Sequence, residues 1–103
     1  MFGRKPPEII DAKLAWEQVR GGALLLDVRK ASEFNSGHLR NALNFSHDEL
    51  ESRLAKLQDQ KDREILVYCV SGVRSEIAKN LLIKNGFTRV VNAGSYEELL
   101  AAE

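Results

Sequence analysis

The residues with chemistry to offer are concentrated in one short stretch, Cys69-Val70-Ser71-Gly72-Val73-Arg74. Cys69 is the only cysteine of the chain, which excludes an internal disulfide and any multi-cysteine metal site. No second thiol in the chain can resolve an oxidised Cys69. It closes the apolar run Ile65-Leu66-Val67-Tyr68, which has the composition of a buried strand. Gly72 lets the backbone turn tightly and approach a ligand closely. The main-chain N–H groups of Val70, Gly72 and Val73, converging above a helix N-terminus, would form an anion-binding nest. Arg74 adds a fixed charge and planar donors; its expected role is to close the loop and hold an anion. The Ser71 hydroxyl is a candidate donor to a substrate sulfur. A free thiol titrates near about 8.5, and helix N-termini or cations bring it to roughly 3.5–7.5. A cysteine so placed would be a nucleophile near neutral pH. The plainer reading is an inert small hydrophobe ending a strand. On these residues alone both readings stand.

The elements around the loop would have to hold it. Asp11 is a plausible N-cap for a helix over about 12–20, closed by Gly21-Gly22. ALLLDV at 23–28 reads as a buried strand, a short helix follows near 31–35, and ALNF at 42–45 reads as a second strand. Ser46 followed by Glu49 is a capping-box signature, with Leu50, Leu54 and Leu57 on one helical face behind it. After the cysteine loop, Ile77, Ala78, Leu81 and Leu82 make the apolar stripe of a helix that stops at Gly86. Arg89-Val90-Val91 is a further strand, Asn92 to Ser95 a turn, and Tyr96 to Leu100 a last short helix. Strands alternating with helices imply an α/β fold, a mainly parallel sheet flanked by helices on both faces. Such sheets place ligand sites beyond the carboxyl ends of their strands, where Cys69 lies.

Composition removes several classes of function. A chain of 103 residues is expected to form one domain. Fifteen basic residues balance fifteen acidic ones, so no nucleic-acid or anionic-membrane partner is expected. No apolar run approaches the ~18 residues of a membrane span. The opening MFGRKPPE lacks a leader's apolar stretch, so the expected compartment is the cytoplasm, or the periplasm if a leader has been removed. His38 and His47 share no metal-binding spacing; the first reads as a hydrogen-bonded turn histidine, the second as solvated. Asp27 reads as structural, Arg29 as a partner for Glu33 four residues on, and Trp16 as packing.

Set side by side, Leu26-Asp27-Val28-Arg29, Glu33-Phe34, Gly37-His38-Leu39 with Ala42, Cys69 to Ser75, and Asn92-Ala93-Gly94-Ser95 resemble the motifs of the rhodanese family. The resemblance runs from about residue 9 to residue 100 and is nearest to the small single-domain thiosulfate sulfurtransferases, including the phage-shock type. It implies a single rhodanese-like domain and a double displacement. Cys69 would take the sulfane sulfur of thiosulfate or another persulfide donor, then pass it to cyanide or a thiol. Val70, Ser71, Gly72, Val73 and Arg74 would bind substrate. No metal or organic cofactor is implied. The expected partners are a small-molecule sulfur donor and acceptor or a thiol redox protein, with the chain a monomer or weak homodimer.

Two departures from the family pattern stand out. Arg40-Asn41 replaces a Pro-Gly turn, which should loosen it. Ser95 replaces the second glycine of N-x-G-G, which would introduce strain if that position needs a positive φ. Competing readings are a non-catalytic binding or sulfur-carrier module, and a cysteine phosphatase or arsenate reductase. The phosphatase loop has five residues between cysteine and arginine, one more than this chain provides.

Overall fold

β1 (Leu24–Asp27) and β3 (Ile65–Cys69) are buried at every residue, as parallel strands covered on both faces must be. The computed structural model describes residues 6–103. It sets these strands in the middle of a four-stranded parallel sheet, with β2 (Leu43–Asn44) outside β1 and β4 (Val90–Ser95) outside β3. Residues 1–5, which begin the segment read for a leader, lie outside the described residues. Among the described residues no helix is long and apolar enough to cross a membrane.

Side chains alternate between the two faces along each strand, the period of 2 that strand geometry imposes. Leu24, Leu26, Val67 and Cys69 pack on one face with Ala78 and Leu82 of α3 (Val73–Lys84). Leu25, Leu66 and Tyr68 pack on the other with Ala15 and Trp16 of α1 (Ala12–Arg20) and Leu99 of α4 (Tyr96–Ala101). Phe34 of α2 (Ala31–Ser36) joins that second core. The chain is therefore an α/β sheet with helices on both faces. Asp11 caps α1 as its type suggests, accepting from the N–H groups of Lys13 at 3.0 Å and Leu14 at 3.3 Å. Trp16 is core, and its indole N–H donates to the Leu99 carbonyl at 2.8 Å, tying α1 to α4.

Four local expectations are corrected. The Ser46 hydroxyl donates to the Asp48 carboxylate, and the Glu49 N–H donates to the Ser46 carbonyl, so the capping-box residues form a turn. A 3₁₀ helix over Glu51–Gln60 follows, and it still buries Leu57 beside Leu50. β4 continues through the expected turn because β3 runs on to Cys69 and offers Gly94 and Ser95 a ladder. Ala93 is the extra residue of a bulge that keeps Asn92 opposite Val67 and Gly94 opposite Tyr68. Ser95 carries no strain: its φ is −102°, while Gly94 takes the positive φ of 89°. Its hydroxyl caps α4 by accepting from the Glu98 N–H at 3.2 Å. In the Arg40-Asn41 turn, Asn41 adopts a φ of 65°, a left-handed conformation that asparagine tolerates better than most residues.

Candidate active site

β3 ends at Cys69 and α3 begins at Val73, so the four residues between Cys69 and Arg74 must reverse the chain within one turn. Gly72 makes this possible with a φ of 93°. The reversal brings main-chain N–H groups back onto the sulfur. Gly72 donates to Sγ at 3.1 Å and Ser75 donates at 3.4 Å. Cys69 itself is fully buried on the α3 face of the sheet. Burial pushes the Cys69 thiol up. The hydroxyl and N–H of Ser75, with the N–H groups of Ser71 and Gly72, outweigh it and hold the thiol below its ordinary value.

Ser75 is the residue that the loop pattern understated. Its Oγ lies 3.4 Å from Sγ and 2.7 Å from Asn92 Oδ1. A hydroxyl has one proton to give. With a neutral thiol, Ser75 donates to Asn92 and accepts from Cys69. With a thiolate, its proton is better used on the sulfur. Asn92 tolerates the exchange because its Oδ1 also accepts the Gly94 N–H at 2.9 Å. The amide cannot turn over, since its Nδ2 donates to the Gly72 carbonyl at 2.9 Å and to Glu76 Oε1 at 3.1 Å. Asn92 thus joins β4 to the end of the loop at Gly72 and to the first turn of α3.

Arg74 is paired with a carboxylate. Its Nη1 and Nη2 donate to the two carboxylate oxygens of Glu33 at 2.9 and 3.2 Å. Glu33 is held by a second bond, from the Lys30 N–H at 2.9 Å, at the start of α2. Arg74 foremost, then the Lys30 N–H, lower the Glu33 carboxyl to about 2, and Glu33 in turn raises the Arg74 guanidinium. The sequence paired Glu33 with Arg29; the fold pairs it with Arg74, across two loops.

Arg29 is engaged elsewhere. Its Nη2 meets Asp27 Oδ2 at 2.6 Å and the Gly37 carbonyl at 2.7 Å, and its Nε meets Asp27 Oδ1 at 3.0 Å. Tyr68 donates its hydroxyl to Asp27 Oδ2 at 2.8 Å and accepts the Leu39 N–H at 3.1 Å. The guanidinium lies 4.3 Å from the centre of the Tyr96 ring. Burial alone would lower the Arg29 guanidinium, but Asp27 overrides it and the net shift is upward. Burial pushes the Tyr68 phenol up, so it remains a donor. This pair staples the loop after β1 on the face of the sheet opposite Cys69, which makes Asp27 and Arg29 structural.

The remaining loop side chains form a rim. Val70 and Val73 are exposed, as is Ser71, while Gly72 is buried. The amides that reach the sulfur as hydrogen bonds are those of Gly72 and Ser75, with Ser71 adding to the downward shift. His38 Nδ1 lies 3.0 Å from the Phe34 carbonyl and its ring stacks on Phe34 at 3.7 Å, the turn role expected of it. His47 is half-buried, contrary to the solvated reading. Its N–H donates to the Val28 carbonyl at 3.0 Å, and its buried Nδ1 has no partner among the described residues.

Comparison with known proteins agrees with this geometry. The family model for the rhodanese-like domain matches residues 8–102. A tRNA uridine(34) hydroxylase of Cronobacter sakazakii is 36% identical over 72 residues, which is 66% of this chain and 21% of that protein. The chain thus spans about a fifth of the curated relatives it matches. Human single-domain sulfurtransferase TSTD1 superposes with a TM-score of 0.76 at 31% identity, covering 97% of this chain and 99% of that one. Reduced Bacillus anthracis CoADR-RHD gives 0.80 at 26% identity, covering 93% of this chain and 17% of that one. With a match along nearly its whole described length and a cysteine set under loop amides at the end of a parallel strand, the chain belongs to the rhodanese-like domain family.

Proposed function

We propose that the chain is a sulfurtransferase working through a Cys69 persulfide, with thiosulfate as one donor and cyanide or a thiol as acceptor. The observation that carries the reading is the pair of N–H groups, from Gly72 and Ser75, aimed at the Cys69 sulfur. Donors so placed favour a thiolate over a thiol. They also suit an anionic persulfide.

In the first step the Cys69 thiolate attacks the outer sulfur of thiosulfate. The new S–S bond forms as the old one breaks, and sulfite leaves with the bonding pair. In the second step cyanide or a thiolate attacks the terminal sulfur, and the Cys69 thiolate is regenerated. No external oxidant or reductant enters. Arg74 contributes by anchoring the loop's exit to Glu33 rather than by holding the anion directly. The Val70 and Val73 amides and the Ser71 hydroxyl are the other groups that the loop would present to the donor. Steady-state rates with thiosulfate and cyanide varied together test the scheme. Parallel double-reciprocal lines are expected, with no turnover in Cys69→Ser. Intersecting lines, or turnover that survives the substitution, would overturn it.

A sulfur-carrier role is the second reading. The relatives that hold this unit as about a fifth of a longer chain favour it. A carrier would accept sulfur on Cys69 and release it slowly to small acceptors. A phosphatase finds less support: the loop is one residue short, and Asp27 is committed to Arg29 and Tyr68 instead of standing ready as a general acid.

A further inference from the structure

A chain of polar contacts runs from Cys69 through β4 to a charged pair on α3. Ser75 Oγ stands between two acceptors, the Cys69 sulfur at 3.4 Å and Asn92 Oδ1 at 2.7 Å. Asn92 carries the contact onward, its Nδ2 donating to Glu76 Oε1 at 3.1 Å. The other oxygen of Glu76 lies 3.2 Å from Lys79 Nζ. Two main-chain groups, the Gly94 N–H on Oδ1 and the Gly72 carbonyl on Nδ2, already fix which way the amide faces. What Glu76 adds is charge. A charged acceptor on Nδ2 polarises the amide and makes Oδ1 a stronger acceptor in turn. Oδ1 then holds the Ser75 proton harder, and a thiolate at Cys69 receives less of it. The carboxylate's own charge opposes the thiolate in the same sense. Lys79 offsets both effects. The path is sheltered from water: Asn92 is fully buried, and the Glu76 and Lys79 side chains are 27% and 16% exposed.

Resting on the sulfurtransferase reading, we propose that Glu76 is a positioning residue of the reaction. Acting through Asn92 and Ser75, it withholds the Ser75 proton from the Cys69 thiolate, and Lys79 limits how far. The consequence falls on both half-reactions. A more basic thiolate attacks a donor sulfur faster, thiolate for thiolate, and departs from a persulfide more slowly. The Glu76–Lys79 pair therefore sets the balance between loading Cys69 and unloading it. Other charges stand near the path. Arg74, on α3, is paired with Glu33 of α2. Glu8, before α1, shares with Lys79 and Asn92 the lining of a groove beside β4, but Asn92 Nδ2 is given to Gly72 and Glu76.

The rate of Cys69 alkylation by iodoacetamide against pH gives the thiol pKa in each variant. Glu76→Gln keeps a carbonyl for Asn92 and removes the charge, so the Cys69 pKa should fall by about 0.3–1 unit. Lys79→Met leaves Asn92 untouched and uncovers the Glu76 charge, so the pKa should rise by a similar amount. This second variant decides the matter should Glu76→Gln fold poorly. Glu8→Gln removes a carboxylate from the same groove without touching the amide, and should move the pKa less than about half as far. In a Ser75→Ala background the path is cut, and the Glu76→Gln shift should shrink to about half or less. A Cys69 pKa that holds or rises in Glu76→Gln, or that holds or falls in Lys79→Met, would overturn the proposal. So would a Glu76→Gln shift that Glu8→Gln matches or that Ser75→Ala leaves undiminished. Incubation with thiosulfate followed by intact mass separates the two levels of failure. If Cys69 takes up no sulfur atom, the sulfurtransferase reading falls, and with it the role of Glu76 in that reaction. If Cys69 loads and the alkylation profiles do not move, only the proposal falls.

Discussion

Ser75 meets Cys69 with two groups at once, its main-chain N–H and its hydroxyl, each 3.4 Å from the sulfur. They come from one residue because α3 starts directly behind the loop, so its first turn faces back onto the end of β3. Ser75→Ala removes the hydroxyl and keeps the N–H. A hydrogen bond to a charged group contributes about 1.5–3 kcal/mol, and one pKa unit corresponds to about 1.4 kcal/mol. Because Asn92 competes for the same proton, the lower end applies. The apparent pKa of Cys69 should rise by about one unit. The rate of iodoacetamide alkylation against pH reads this directly. A profile that does not move would remove Ser75 as a positioning residue.

Glu33 makes the fold's acid stability depend on the Arg74 pair. Its carboxyl is lowered from 4.5 to about 2, chiefly by Arg74. The unfolded chain therefore binds a proton there before the folded one does. The pair's contribution is complete above pH 4.5 and is lost as pH falls toward 2. The carboxylate is about one-third exposed, so solvent and salt weaken the effect. Denaturant titrations of wild type and Glu33→Gln should converge as pH drops through that interval. Curves that remain parallel from pH 5 to pH 2 would show that the pair does not act this way.

Asp27 and Arg29 should behave as a buried pair whose halves cannot be removed singly. Their side chains are 0% and 6% exposed. Arg29→Leu leaves the Asp27 carboxylate buried with only Tyr68 and a main-chain N–H for company. The expected cost is about 3–5 kcal/mol, read as a lower denaturation midpoint at unchanged slope. Tyr68→Phe removes one donor to Asp27 and the acceptor for the Leu39 N–H, at a cost of about 1–3 kcal/mol. A loss under about 1 kcal/mol for Arg29→Leu would contradict the structural role.

The order of elements was readable because strand and helix patterns alternate cleanly. Asp11, Gly72 and the apolar run into Cys69 each stated a local rule that the fold obeys. What could not be read lies in pairings between distant segments. Glu33 and Arg74 are 41 residues apart, and nothing in the spacing of Arg29 and Glu33 warns that α2 will turn Glu33 toward the cysteine loop. Ser75 and Asn92 are 17 residues apart, and the bulge at Ala93 that orients Asn92 depends on β3 as a partner. Ser46 misled for a local reason: Asp48 competes for its hydroxyl, so the capping pattern closes a turn. Ser95 escapes strain because the positive φ falls one residue earlier, on Gly94.

Gly72 is constrained twice. Its φ of 93° disfavours any side chain, and a Cβ there would stand 2.8 Å from Ile9 Cδ1. Gly72→Ala should cost about 1–3 kcal/mol and lift the Gly72 N–H from the sulfur, raising the alkylation pKa as well. Ile9 is half exposed, so Ile9→Ala in the same chain relieves the clash and leaves the backbone strain. The double variant should recover part of the stability lost in Gly72→Ala. Strict additivity of the two substitutions would mean that Ile9 does not press on the loop.

The central claim is that Cys69 takes up one sulfur atom and holds it, and intact mass spectrometry tests it most directly. Wild type and Cys69→Ser are incubated with thiosulfate in the absence of acceptor, desalted and measured, then treated with cyanide. The account predicts a gain of one sulfur atom in wild type alone, removed by cyanide with formation of thiocyanate. An unchanged wild-type mass, or an equal gain in Cys69→Ser, would contradict it.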